Sequence, residues 1–228
     1  VEPLALLFDD HAEVDVRRRN LPHWEQEGKL YFVTWRQADS IAREKREQLR
    51  REREAFIAAQ GDPAKVRLNP EVLSRYHQLF SERVQRWLDA GYGSCVLRRP
   101  EAREIMRTAL HHFDGQRYTL CSFAIAGNHV HVLVAPKPGI ELSSVMHSWR
   151  SHTAKAINKA LGRTGTLWRD ESYDHLVRNE GSLYRISAYI HSHEAQGGYV
   201  ERRRLLKHEV PQAFPCGYQA QAGACATV

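Results

Sequence analysis

The chain has no apolar run near the ~20 residues that a membrane-spanning helix needs, so no helical membrane span is expected. Its first ten residues carry acids where a signal peptide carries bases, so export is not expected either. Its four cysteines, Cys95, Cys121, Cys216 and Cys225, form no CxxC pair. That argues against a zinc knuckle or a disulfide frame, and four free thiols suit a reducing, cytoplasmic compartment. There is no internal repeat. There is also no Walker A pattern, so no nucleotide cofactor is expected.

What is present is an ordinary globular composition with two biases. Hydrophobic residues make up 42%, enough for a normal core. The 228 residues fit one domain with insertions, or at most two small ones. Lys and Arg outnumber acids 33 to 27, a formal charge of +6, and the pI is near 9.3. Such an excess is compatible with nucleic acid, because phosphate neutralisation drives much of that binding, but alone it is weak evidence. The 13 histidines are more unusual and direct attention to metal or proton chemistry.

Aromatic and β-branched residues predict a first strand at 30–35 (LYFVTW). Asp39 or Ser40 is placed to cap a following helix that runs to about Ala59. That helix is nearly all charge, with Ile41, Leu49 and Phe56 as scattered apolar points. It reads as a solvated helix or as an arm that faces DNA. A second helix is expected over 71–90, with Leu73, Tyr76, Phe80, Val84 and Trp87 as one buried stripe. The two helices look like a hairpin inserted at about 38–92. Pro100 suits the first turn of another helix, to about Phe113. Strands are expected at 117–126 (RYTLCSFAIA) and 129–135 (HVHVLVA). A long amphipathic helix then covers 141–161, with Leu142, Val145, Trp149, Ala156, Ile157 and Ala160 inward. A further strand within 166–178 and a last helix over 181–195 complete the core. The tail from 201 to 228 is basic first and then low in apolar content, and it is expected to be flexible. Strands alternating with helices in so short a chain predict an α/β or α+β sandwich, with helices against one small sheet.

The chemistry concentrates at two places. On a strand, His129 and His131 point to one face while Val130, Val132 and Val134 point into a core. Two adjacent imidazoles can converge on one metal ion, or they can be a surface pair on an edge strand. On the last helix, Tyr189 and His193 are four apart and share a face beside the apolar stripe Leu183, Ile186 and Ile190. If that helix packs beside the histidine strand, His193 becomes a third ligand and Tyr189 lies within one turn of the metal. The plainer alternative is a half-buried core tyrosine and a histidine favoured by the helix dipole.

The string GNHVHVLV at 127–134, followed further on by YIHSH at 189–193, resembles the HUH single-tyrosine nuclease superfamily. It is most similar to the REP-associated tyrosine transposases. Leu167-Trp168-Arg169, Tyr173-Asp174-His175-Leu176-Val177-Arg178 and Ser148-Trp149-Arg150 match further family segments in the right order, and the likeness spans residues 20–200. The resemblance implies an α+β fold, a small antiparallel sheet packed with helices in a ferredoxin-like HUH core, with the helical hairpin inserted. It implies that His129 and His131 are metal ligands, that Tyr189 is the nucleophile, and that His193 stands where the family carries Asn or Gln as third ligand. Two departures stand out. Gly127-Asn128 replaces the usual Pro-Asn, and His193-Glu194-Ala195 replaces the usual Asn-Pro-Val. A three-nitrogen site is softer than one with an amide oxygen, so tolerance of Mn²⁺, Ni²⁺ or Zn²⁺ is expected rather than a strict demand for Mg²⁺.

The implied activity is metal-dependent cleavage and rejoining of single-stranded or hairpin, REP-like DNA through a covalent 5′-phosphotyrosine. The alternatives are a domesticated hairpin-binding protein with weak or no catalysis, and an unrelated zinc hydrolase. Arg150, Lys155, Lys159, Arg163, Arg169 and Arg178 are candidates to hold the phosphate backbone. Trp149 and Trp168 are candidates to stack on unpaired bases, or else to pack in the core. His175 and His191 are candidates for acid or base roles, or else ordinary structural histidines. The protein is expected to act as a monomer or homodimer.

Overall fold

The computed structural model describes residues 3–9, 15–18, 22–61 and 70–202. These form two compact units, one of Asp39–Ser94 and one of the residues before and after it.

The second of these holds a five-stranded sheet. Its strands are β3 (Tyr31–Gln37), β4 (Tyr118–Ile125), β5 (His129–Pro136), β6 (Trp168–Leu176) and β7 (Tyr199–Arg202). They lie in the order β6-β3-β5-β4-β7, and every neighbouring pair is antiparallel. Two short strands, β1 (Asp15–Arg18) and β2 (Pro22–Glu25), pair separately with each other. The fold is therefore α+β with a small antiparallel sheet, as expected.

Period-two alternation decides which side chain faces where. Tyr31, Val33 and Trp35 of β3 and Val130, Val132 and Val134 of β5 enter one core. Two helices cover it: α4 (Pro100–His111), through Ala102, Met106 and Leu110, and α5 (Leu142–Ala160), through Leu142, Val145, Met146, Trp149 and Ile157. Each large side chain buried this way contributes about 1.5–3 kcal/mol, so a register slip of one residue would be strongly opposed. In β4 the register shifts between Leu120 and Ser122. This irregularity lets Tyr118 and Leu120, and beyond it Phe123 and Ile125, all reach that same core. The other face carries Phe32, Cys121, Leu133 and Ala135. It is covered by α6 (Glu180–Ser192) through Leu183, Ile186 and Ile190.

Several expectations change here. Trp149 and Trp168 are 2% and 4% exposed, so they do not offer faces to unpaired bases. Trp149 stacks on Trp35 at 5.9 Å and donates its indole N–H to the Tyr118 hydroxyl at 2.9 Å. The Trp168 indole donates to Thr153 Oγ1 at 3.0 Å. On α5 the inward set includes Met146 and Thr153, whereas Ala156 is half-buried and Ala160 exposed. Thr153 tolerates burial because its hydroxyl donates to the Trp149 carbonyl at 2.7 Å. The tail expected from 201 begins inside β7, which pairs with β4. Four residues of mixed polarity gave no strand signal. The tail beyond 202 lies outside the described residues.

In the other unit, α1 (Arg43–Ala59) is followed by α2 (Pro70–Tyr76), a π-helical turn (His77–Ser81) and α3 (Glu82–Asp89). Neither Asp39 nor Ser40 caps α1. Its N-cap is Ala42, with no side-chain hydrogen bond. Asp39 instead accepts the Ser94 N–H at 2.9 Å, joining the unit's first and last residues. Phe56, Tyr76 and Phe80 form an aromatic cluster with centroid separations of 4.9–5.9 Å. Beyond the π turn the buried position passes to Leu88, while Val84 and Trp87 are half-buried. One extra residue in a π turn rotates the stripe this way.

Candidate active site

β5 places His129 and His131 on the α6 side of the sheet, 1% and 0% exposed, with ring centroids 4.6 Å apart. α6 starts at a capped end: the Asn179 side chain accepts the Ser182 N–H at 2.8 Å. Its apolar stripe then docks on the sheet and carries Tyr189 to the histidines. Ring centroids of Tyr189 and His131 are 5.1 Å apart, and Tyr189 Oη lies 3.3 Å from His131 Nε2. His193 sits at the helix C-cap, buried, with its centroid 4.7 Å from His131 and 5.4 Å from His129. The structure thus brings Tyr189, His129, His131 and His193 into one cluster.

Each imidazole has a partner on Nδ1. His193 Nδ1 meets the Tyr189 carbonyl at 3.0 Å. A carbonyl only accepts, so Nδ1 carries the proton and neutral His193 has none on Nε2. His129 Nδ1 meets the Asn128 side-chain oxygen at 2.7 Å, which assigns the same tautomer. His131 Nδ1 meets Thr34 Oγ1 at 2.7 Å. Burial pushes the His131 pKa well below the usual histidine value, and the charges of His129 and His193 push the same way. His131 is therefore neutral at physiological pH.

One ring nitrogen from each of the three imidazoles lies within 4.8 Å of the others; Nε2 of His129 and of His193 are 3.4 Å apart, and Thr34 on Nδ1 leaves Nε2 as the donor of His131. Lone pairs turned toward one another at that range repel unless a proton or a cation lies between them. Imidazoles oriented through Nδ1 by carbonyl, amide and hydroxyl partners have the outer shell typical of a metal site. The donor set therefore fits a divalent cation of the borderline kind.

Phe32 packs on this cluster, stacked on His131 at 5.4 Å and edge-on to Tyr189 at 6.2 Å. Gly198 closes it from the chain beyond α6. Its N–H donates to the His193 carbonyl at 2.9 Å, and a Cβ there would lie 2.9 Å from the same carbonyl oxygen. Thr34, Asn128, Phe32 and Gly198 were not singled out as functional from the sequence. Thr34 had one available signal, a hydroxyl on the otherwise apolar Leu30–Phe32 side of its strand.

The six basic candidates lie elsewhere. Arg150, Lys155 and Lys159 are on α5, across the sheet from the histidines. Arg150 donates to the Arg169 carbonyl at 2.6 Å. It lines a cleft of about 460 Å³ with His147, Asp170 and Asp174. Lys155 and Lys159 are exposed on other sides of α5, Arg163 follows that helix half-buried, and the Arg178 guanidinium lies 6.0 Å from the Phe8 ring centre. His191 is half-buried, and its pKa is lowered first by burial and then by Arg202. Two residues on from Tyr189, it occupies a different face of α6. His175 pairs across the sheet with Phe32.

Residues 95–193, just under half of the chain, match the family described as "Transposase IS200 like", and the matched segment runs through Tyr189 to His193. The resemblance seen in the sequence is borne out over that segment. Among solved structures, the chain is similar to a REP-associated tyrosine transposase bound to a REP hairpin. That match has 13% identity and a TM-score of 0.41, covering 80% of this chain and 73% of the other. It is also similar to a protein of Deinococcus radiodurans R1 described as a candidate transposase, with 12% identity and a TM-score of 0.31, covering 77% and 95%. Curated proteins gave no match. Among the described residues, no helix is long and apolar enough to cross a membrane.

Proposed function

We propose that this protein is a metal-dependent single-strand DNA endonuclease and strand transferase. It acts on hairpin DNA with Tyr189 as nucleophile and His129, His131 and His193 as metal ligands. The observation that carries the reading is the Tyr189 hydroxyl, 3.3 Å from His131 Nε2, beside three imidazoles with converging Nε2 atoms.

A divalent cation held by those nitrogens supplies Lewis-acid neutralisation of a phosphate oxygen. The residues do the rest. α6 holds the phenol at the edge of the imidazole cluster. Its oxygen attacks phosphorus, forms a 5′-phosphotyrosine and expels a 3′-hydroxyl. Covalent attack keeps the phosphoester bond energy in the intermediate, so the 3′-hydroxyl of the same or another strand can attack in turn. No nucleotide is consumed. The helix's own backbone orients the His193 imidazole, because the Tyr189 carbonyl is its Nδ1 partner.

Incubating the protein with labelled hairpin oligonucleotides that carry single-stranded flanks tests this, with Mn²⁺ and with chelator. The expected result is a Mn²⁺-dependent covalent adduct that Tyr189→Phe abolishes. His193→Ala should lose cleavage and keep most DNA binding. A mobility shift with no adduct under any metal would instead favour a domesticated binding protein. Metal-dependent cleavage that survives Tyr189→Phe would favour an unrelated hydrolase.

A further inference from the structure

His131 Nε2 has two prospective users. With Nδ1 bonded to Thr34 it is the nitrogen His131 has left to offer the three-imidazole cluster, and it also lies 3.3 Å from the Tyr189 hydroxyl. An imidazole nitrogen has one in-plane lone pair. That pair can accept one hydrogen bond or bind one cation, not both.

Two contacts hold the ring in this orientation. Phe32 lies nearly parallel to it, with an interplanar angle of 19°. Thr34 is directly opposite His131 in the β3–β5 register, is 5% exposed, and holds Nδ1 at 2.7 Å. When Thr34 Oγ1 accepts from Nδ1–H, the lone pair is on Nε2. In the other tautomer an N–H would point into the space shared with His129 and His193, and the site would lose its third donor.

We propose that Thr34 is a positioning residue that keeps the His131 lone pair on Nε2, and that the Tyr189 hydroxyl and a divalent cation compete for it. The phenol is held on the imidazole until the cation takes the lone pair, and the hydroxyl is then released to face the substrate. Nucleophile and metal are thereby coupled, so that Tyr189 is presented when the site is loaded. The inference rests on the metal-site reading above and goes beyond it by making Tyr189 an inhibitor of metal binding.

Calorimetric titration of Mn²⁺ into the full chain tests it without DNA or turnover, with the Co²⁺ visible spectrum as a second readout. Tyr189→Phe removes only the hydroxyl and should bind Mn²⁺ about threefold to tenfold more tightly, as expected when one competing hydrogen bond is lost. Thr34→Val keeps the side-chain shape and should bind roughly tenfold to a hundredfold more weakly, whereas Thr34→Ser should stay within about threefold of the parent. In the Thr34→Val background the gain from Tyr189→Phe should shrink, because both act on one lone pair. Equal or weaker Mn²⁺ binding by Tyr189→Phe overturns the competition. Unchanged affinity in a folded Thr34→Val protein, or in Tyr189→Phe pairs with and without it, overturns the role of Thr34. If neither the parent nor Tyr189→Phe binds Mn²⁺ or Co²⁺, the underlying metal site falls and the competition with it.

Discussion

The two faces of the central sheet are built from the same strands and differ in what their polar atoms do. On the α4–α5 face, β5 contributes Val130, Val132 and Val134, and two of the polar groups are linked in a chain. The Trp149 indole donates to the Tyr118 hydroxyl, which in turn donates to the Leu110 carbonyl at 2.8 Å. On the α6 face, the alternate residues of the same strand are His129 and His131, and their outer nitrogens converge with that of His193. The first face is optimised for burial. The second concentrates three buried imidazoles, which costs stability unless something binds them. One strand thus separates a stabilising layer from a chemical one, and substitutions should separate the same way.

The largest expected effect is on the dry face. Trp149→Ala should cost about 3–5 kcal/mol in chemical denaturation, while the fraction that stays folded binds Mn²⁺ almost normally. A large change in affinity in that folded fraction would break the division between faces. Next comes Val130→Thr, which places an unpaired hydroxyl in the same core. It should cost roughly 1–3 kcal/mol, whereas Thr34→Val, the opposite exchange on the other face, should affect unfolding much less than it affects metal affinity.

Acid should act through the α6 face. Native His131 has a lowered pKa because it is buried, so below the ordinary value near ~6.5 the unfolded chain binds a proton that the native chain does not. Stability contributed by neutral His131 is therefore present above that pH and lost as pH falls, by up to about 1.4 kcal/mol per pH unit. Urea midpoints measured with chelator between pH 7.5 and pH 5, both about neutral-to-acid conditions, should show this slope, and His131→Gln should reduce it. A slope that is unchanged in His131→Gln assigns the acid sensitivity to other groups. The smallest effect is expected for Asn179→Ala, which removes the α6 N-cap and should cost about 1 kcal/mol. Its cleavage rate should fall more than that of a variant of similar stability cost on the α4–α5 face.

Much of this was legible in the sequence because it is periodic. The alternation in HVHVLVA fixes which residues of β5 share a face, and the spacing Leu183–Ile186–Ile190 fixes which side of α6 docks. Spacing along one element also pairs Tyr189 with His193. What was not legible depends on pairing between distant segments. Thr34 and His131 are 97 residues apart and meet only through the β3–β5 register. β7 is four residues of mixed character whose identity as a strand comes from β4. Trp149 and Trp168 were ambiguous because an indole suits a core or a nucleobase equally well, and only their packing on Trp35, stacked for Trp149 and edge-on for Trp168, decides. Asp39 has the right residue type for a helix cap, but its carboxylate is taken by the Ser94 N–H, a partner no local rule anticipates.

The most direct measurement is anomalous diffraction from crystals grown with Mn²⁺. The account predicts one strong peak within coordination distance of Nε2 of His129, His131 and His193, with the Tyr189 hydroxyl moved off His131. A peak elsewhere, or three imidazoles that stay unligated at saturating Mn²⁺, would contradict it.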